Sequence, residues 1–268
     1  MRRPSNFIRK YTTPNFVKQK YYMNTFFKII DLLRVLIVTK QSFFSVFKKG
    51  FSIASSQIVY NLSKVDTQIG TIIDVGANQG QFALACSHFY KDANIYSFEP
   101  VPETASVIKA NTEHLKNIEV FEMALGSTEG SIDFYKNEYS HASSALPVSK
   151  LQLESHPQTS QTEIIRVPVK RLDDLATIIV PKGKVLLKLD VQGFEKEVLL
   201  GATSFIKKVD YILFEASFVS MYDGEPLYEE MHNYVSGLGF EIVSPMAFLQ
   251  TNELQIMQMD MLYRRKNL

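Results

Sequence analysis

The chain has 268 residues, of which 46% are hydrophobic and 21% charged, ordinary usage for a globular protein with one large domain and an appendage. Its single cysteine, Cys86, excludes an internal disulfide and a multi-cysteine zinc site, and suits a reducing cytoplasm. No stretch reaches the roughly 18–20 uninterrupted apolar residues of a membrane-spanning helix.

The net charge of +1 conceals an asymmetry. Residues 1–50 hold eleven Lys and Arg against one acid, Asp31, so they carry +10 and the other 218 residues carry −9. A basic arm on an acidic body points to an anionic partner, such as a membrane surface met peripherally. Nucleic acid is disfavoured, because the aromatics of the arm form no recognisable module. Within the expected extension, residues 1–64, Phe26, Ile29, Ile30, Leu33, Leu36 and Ile37 recur at helical spacing. That helix packs on the body, lies in a membrane interface or makes oligomer contacts.

From residue 65 to 268 strand and helix patterns alternate, which predicts an α/β domain with a doubly wound, mostly parallel sheet. Strands are expected at Thr71–Val75, Asn94–Phe98, Ile118–Ala124, Lys184–Asp190 and Tyr211–Glu215. Helices are expected at Gln79–Tyr90, Glu103–Leu115, Glu195–Gly201 and Pro226–Gly237. Strands near Phe240–Val243 and Asp260–Arg264 would make an antiparallel edge. Residues 126–175 interrupt the alternation with an antiparallel pair, Ser131–Lys136 and Ile164–Lys170, joined by a Ser-rich stretch that reads as a mobile cover.

Five strand ends carry chemistry. Asp74-Val-Gly-Ala-Asn-Gln-Gly80 joins a strand to a helix, and Gly76 lets the turn approach a ligand closely. An acid at the strand end would repel the phosphate that a dinucleotide-binding turn holds, and suits a ligand carrying positive charge, such as the ammonium and sulfonium of S-adenosylmethionine. Glu99, 25 residues on and ending the next strand, can accept hydrogen bonds from both hydroxyls of a ribose. Met123 and Ala124 either line an adenine slot or fill core. Asp190 and Glu215 end the fourth and fifth strands. They read as a general base with an orienting partner, or as ligands of a divalent cation. His141 lies in the irregular stretch, where it either covers the site or is merely exposed.

Taken in order, D-V-G-A-N-x-G (Asp74–Gly80), F-E-P (Phe98–Pro100), A-L-G (Ala124–Gly126), Ser143–Ser144 and K-L-D-V-Q-G-F-E-x-E-V-L-x-G-A (Lys188–Ala202) resemble the FkbM methyltransferase family. The resemblance implies a class I methyltransferase sheet, S-adenosylmethionine as donor, and O-methylation of a hydroxyl on a sugar, glycan or natural product. Carried over, its donor set is Asp74, Gly76, Asn78, Gly80 and Glu99. The family often has Glu where this chain has Gln192, which moves the catalytic expectation to Asp190. N-methylation of an amine or protein, and a non-catalytic binding module on the same fold, are the alternatives.

Overall fold

A computed structural model describes residues 33–34, 36–38, 50–251 and 253–266. The chain divides into two compact units, Met1–Ser45 and Val46–Leu268. Residues 33–34 and 36–38 are helical, within the predicted helix Phe26–Val38; the rest of that helix and the basic arm lie outside the described residues.

In the second unit, helix α1 (Ile53–Val65) starts at Ser52, whose side chain accepts from the Ser55 amide at 3.2 Å. This cap satisfies a donor that the first turn leaves open. Ile58, Val59 and Leu62 recur at helical spacing and are buried against the sheet-bearing body, so this part of the expected extension is integral to it.

The sheet has seven strands: β1 (Ile69–Val75), β2 (Asn94–Phe98), β3 (Ile118–Phe121), β7 (Lys184–Leu189), β8 (Tyr211–Ser217), β9 (Phe240–Gln250) and β10 (Ile256–Arg265). Their order is β3-β2-β1-β7-β8-β10-β9, with β1, β2, β3, β7 and β8 parallel. β10 runs antiparallel to both of its neighbours, so the expected antiparallel pair is present, with β9 outermost.

The strands are apolar on both faces because helices cover both. Ile73, Leu187 and Ile212 enter one cluster with Val198 and Leu199 of α5 (Glu195–Leu200) and with Met231 and Val235 of α6 (Tyr228–Gly237). Their sequence neighbours Ile72, Leu186 and Leu213 enter the other, with α1 and with Phe82, Ala83 and Cys86 of α2 (Gln81–Phe89). Each such side chain, taken fully from water, stabilises the fold by about 1.5–3 kcal/mol.

The chain leaves β1 and β2 at their carboxyl ends, where the turn 76–80 and Glu99 sit. After β2 it forms α3 (Pro102–Thr112). The expected third strand ends earlier than predicted: Ala124–Leu125, strand β4, leaves the main sheet and pairs instead with β6 (Thr162–Lys170). β6 also pairs antiparallel with β5 (Gly130–Asn137), completing a three-stranded second sheet. The Ser-rich stretch between β5 and β6 has local structure. It contains a 3-10 turn at Ser140–Ala142 and helix α4 (Lys150–Ser155), capped by Ser149. Among the described residues no helix is long and apolar enough to cross a membrane.

Candidate active site

Backbone geometry builds the first half of the site. Gly76 adopts φ +76°, and a Cβ there would come within 1.9 Å of the Asp190 carbonyl oxygen. The turn therefore crosses the end of β7 only because residue 76 has no side chain. The amides of Gly76 and Ala77 both donate to the Phe98 carbonyl at 3.0 Å, which ties the turn to β2. The Asn78 amide donates to Glu99 Oε2 at 2.9 Å and the Val101 amide to Oε1 at 3.0 Å. Each carboxylate oxygen thus keeps lone-pair capacity for a ligand. Burial pushes the Glu99 carboxyl up to about 7, although these two backbone donors oppose the rise.

A cleft enclosing about 660 Å³, mouth included, opens beside this turn. Gly76, Asn78, Glu99, Met123 and Ala124 of the predicted donor set line it, as does Asp190. Phe134 of the second sheet adds an apolar surface near Met123 and Ala124. The segment 140–143 forms part of the wall, and Ser140 Oγ donates to Asn78 Oδ1 at 3.0 Å. His141 is exposed and also lines the cleft, so the two readings of it are compatible. The lining combines hydroxyl-accepting carboxylate, amide and apolar slot, as a nucleoside requires.

Two members of the predicted donor set lie elsewhere. Gly80 adopts φ +82° and its missing Cβ faces Ile108 at 3.0 Å, so it serves the packing of α3 rather than the cleft. Asp74 is fully buried, and its charge is taken by Lys188 Nζ at 3.0 Å instead of meeting a ligand directly. The contact is poorly aligned, and neither Asp74 oxygen has a hydrogen-bond partner. Burial raises the Asp74 carboxyl above its ordinary range against the pull of Lys188. Lys188 also donates to the Gly76 carbonyl at 3.1 Å and reaches Asp190 Oδ2 at 3.4 Å. Burial alone would lower its ammonium pKa, but Asp74 and Asp190 outweigh burial and raise it. The sequence assigned Lys188 no role. Its signal was visible as one charge inside Val185-Leu-Leu-Lys-Leu189, since a lysine on a buried strand needs a partner.

Side chains build the other half. Gln192 takes φ +54°, a left-handed conformation uncommon outside glycine. Its Nε2 donates to Asp190 Oδ1 at 2.7 Å and to Glu215 Oε2 at 3.0 Å. Tyr222 donates its hydroxyl to Gln192 Oε1 at 2.9 Å, and Ser144 donates to the Gln192 carbonyl at 2.7 Å. Gln258 Nε2 donates to Glu215 Oε2 at 2.9 Å. Asp190 therefore meets the cleft, whereas Glu215 stands behind it and joins through the Gln192 amide. Burial, with the charges of Asp190, Asp260 and Glu195, holds Glu215 well above the ordinary carboxylate range. Asp260, its cross-strand neighbour, is pushed up to about 7 by burial and by Asp190. Among the described residues, no group of three or more His, Cys, Asp or Glu is arranged to hold a metal ion.

The curated protein 2-O-methyltransferase NoeI of Sinorhizobium fredii is 29% identical over 175 residues, spanning 63% of this chain and 71% of its own length. Hexuronic acid methyltransferase AglP of Haloferax volcanii is 29% identical over 143 residues, 53% of this chain and 54% of that protein. A crystal structure of a methyltransferase FkbM from Methylobacillus flagellatus superposes at TM-score 0.48 and 13% identity, covering 88% of this chain and 59% of that one. The family described as methyltransferase FkbM domain matches residues 74–242, well over half of the chain. The chain thus belongs to the FkbM methyltransferases.

Proposed function

We propose that this methyltransferase moves a methyl group from S-adenosylmethionine to a hydroxyl of a sugar, glycan or natural product, with Asp190 receiving the hydroxyl proton. The observation that carries the reading is the placement of Asp190. It sits at the carboxyl end of β7, against the Gly76 turn, in the same cleft as the ribose-accepting Glu99. The names of two relatives, a 2-O-methyltransferase and a hexuronic acid methyltransferase, supply the acceptor class.

S-adenosylmethionine, when bound, supplies an activated methyl on a sulfonium. The residues present fit it. Glu99 accepts from the ribose, Met123, Ala124 and Phe134 flank the adenine, and Asn78 with the Gly76 backbone borders the remainder. The positive charge is met by Asp190, whose side chain is 41% exposed, rather than by the buried Asp74. Much of the rate enhancement comes from holding donor and acceptor in line, worth up to roughly 7–11 kcal/mol in well-oriented intramolecular reactions. A hydroxyl must also lose its proton, and general-base assistance contributes roughly 10²–10⁴-fold. Asp190 Oδ1 is held by Gln192 and Oδ2 lies beside Lys188, so the carboxylate is oriented before the acceptor arrives.

Replacing Asp190 by Asn tests the assignment. Turnover of a nucleotide-sugar or glycan acceptor should fall by roughly 10²–10⁴-fold. Donor affinity by calorimetry should fall by only about fivefold, the worth of one exposed charge contact, since the adenosine contacts are untouched. Unchanged turnover would remove Asp190 from the mechanism.

A further inference from the structure

We infer that Gln192 is a positioning residue for the reaction: its side-chain amide, oriented by Tyr222, clamps Asp190 and Glu215 together at the acceptor end of the cleft. The inference rests on the proposed hydroxyl chemistry. A primary amide has two N–H hydrogens, and here each goes to a different carboxylate, at 2.7 and 3.0 Å. The opposite orientation would aim the amide oxygen at both acids. The Tyr222 hydroxyl prevents that by donating to Oε1, and it can do so reliably because Tyr222 is fully buried. The backbone is fixed as well. Ser144, from the segment between β5 and β6, donates to the Gln192 carbonyl, so one residue connects β7, β8, the Tyr222 loop and the insertion. A left-handed backbone at a non-glycine residue persists only where its surroundings over-determine it.

The clamp does what a third carboxylate could not. Two acids this close repel when both are ionised. A neutral donor bridges them without adding negative charge, and it does so at any pH. The groups facing Glu215 are Asp190 at the end of β7, Asp260 of β10, Glu195 of α5, and the amide of Gln258. The Tyr222 hydroxyl and Lys188 complete the surroundings, each one contact further out. Of these, the two glutamines supply the hydrogen bonds that Glu215 receives.

The full chain carrying Gln192→Met keeps the side chain's length and removes its donors. The expected result is a kcat about tenfold lower, a fraction of what a general base supplies, with S-adenosylmethionine affinity unchanged. The kcat–pH profile should move to higher pH on its acidic side, because the ionised Glu215 carboxylate loses one of its two donors. The same variant has a readout independent of turnover. Carbon-detected NMR of labelled carboxyls, assigned with Glu215→Gln, should show the Glu215 titration midpoint moving upward. Tyr222→Phe, which removes only the hydroxyl that orients the amide, should shift kcat and the midpoint in the same directions by less. Wild-type kcat and an unmoved Glu215 midpoint in Gln192→Met would overturn the inference. So would a joint fall of kcat, donor affinity and melting temperature with the pH profile unmoved, since that marks a structural role only. If the wild-type chain methylates no hydroxyl acceptor, the functional reading fails, while the Glu215 midpoint still judges the clamp.

Discussion

The two ends of the cleft are built from different materials. At the β1–β2 end, backbone amides do the holding: Gly76 and Ala77 bind the Phe98 carbonyl, and Asn78 and Val101 bind Glu99. At the β7–β8 end, side chains hold side chains, with Gln192, Tyr222 and Gln258 arranged around two acids. A site made by backbone tolerates change in most neighbouring side chains and recognises one constant ligand. A site made by side chains can be re-tuned by single substitutions. Under the proposed function the first end is the donor socket and the second the acceptor end.

Lys188 spans both, so it is the place to break the contrast hardest. Lys188→Met leaves Asp74 buried without its counter-charge and should cost about 3–5 kcal/mol, read by chemical denaturation. Adding Asp74→Asn should recover most of that loss. Additive losses in the double variant would show that the ion pair is not what joins the two ends.

Glu99 sharpens the donor side through pH. Its carboxyl is raised to about 7 from an ordinary 4.5, so the folded state holds the proton more tightly than the unfolded chain. Stability from this group is therefore complete below about pH 4.5 and is lost as pH rises toward 7. Donor binding runs the other way, because ribose hydroxyls donate to the ionised form. Affinity should tighten about tenfold between pH 6 and 8, and Glu99→Gln should flatten the curve. A flat wild-type curve would mean that the carboxylate does not meet the ribose.

The smallest effect is expected at Ser140. Ser140→Ala removes the hydroxyl that links the insertion to Asn78, a neutral hydrogen bond at a half-buried position. Its net worth of about 0.5–1.5 kcal/mol should appear as a donor affinity weaker by a few-fold, with kcat nearly unchanged. A large fall in kcat would mean that the insertion shapes the acceptor end too.

The same contrast explains what was legible in the residues. The sheet and the donor turn were readable because their signals are local: apolar runs, glycines, and an acid ending a strand. Glu99 needed only the next strand. Asp190 was readable as a strand-end acid, yet Tyr222 and Gln258, which hold Gln192 and Glu215 beside it, lie 30 and 43 residues from the groups they bond and reach them only through the sheet order. Asp74 misled because an acid at a strand end looks the same whether it faces a ligand or a buried lysine. Ala124 misled because an apolar residue after a strand continues the pattern even where the chain crosses to another sheet. Gln192 was noticed only as a missing acid, since pattern reading ranks residues by charge and an amide's two donors carry none.

The reversed strand β10 has a consequence for how the chain assembles. β9 is synthesised first, yet it takes its place outside β10, which separates it from β8. A growing polypeptide halted before residue 256 therefore leaves β9 without its neighbour and β8 with a bare row of amides and carbonyls. That edge invites pairing with another chain until the hairpin arrives as a unit and threads its second arm between the two.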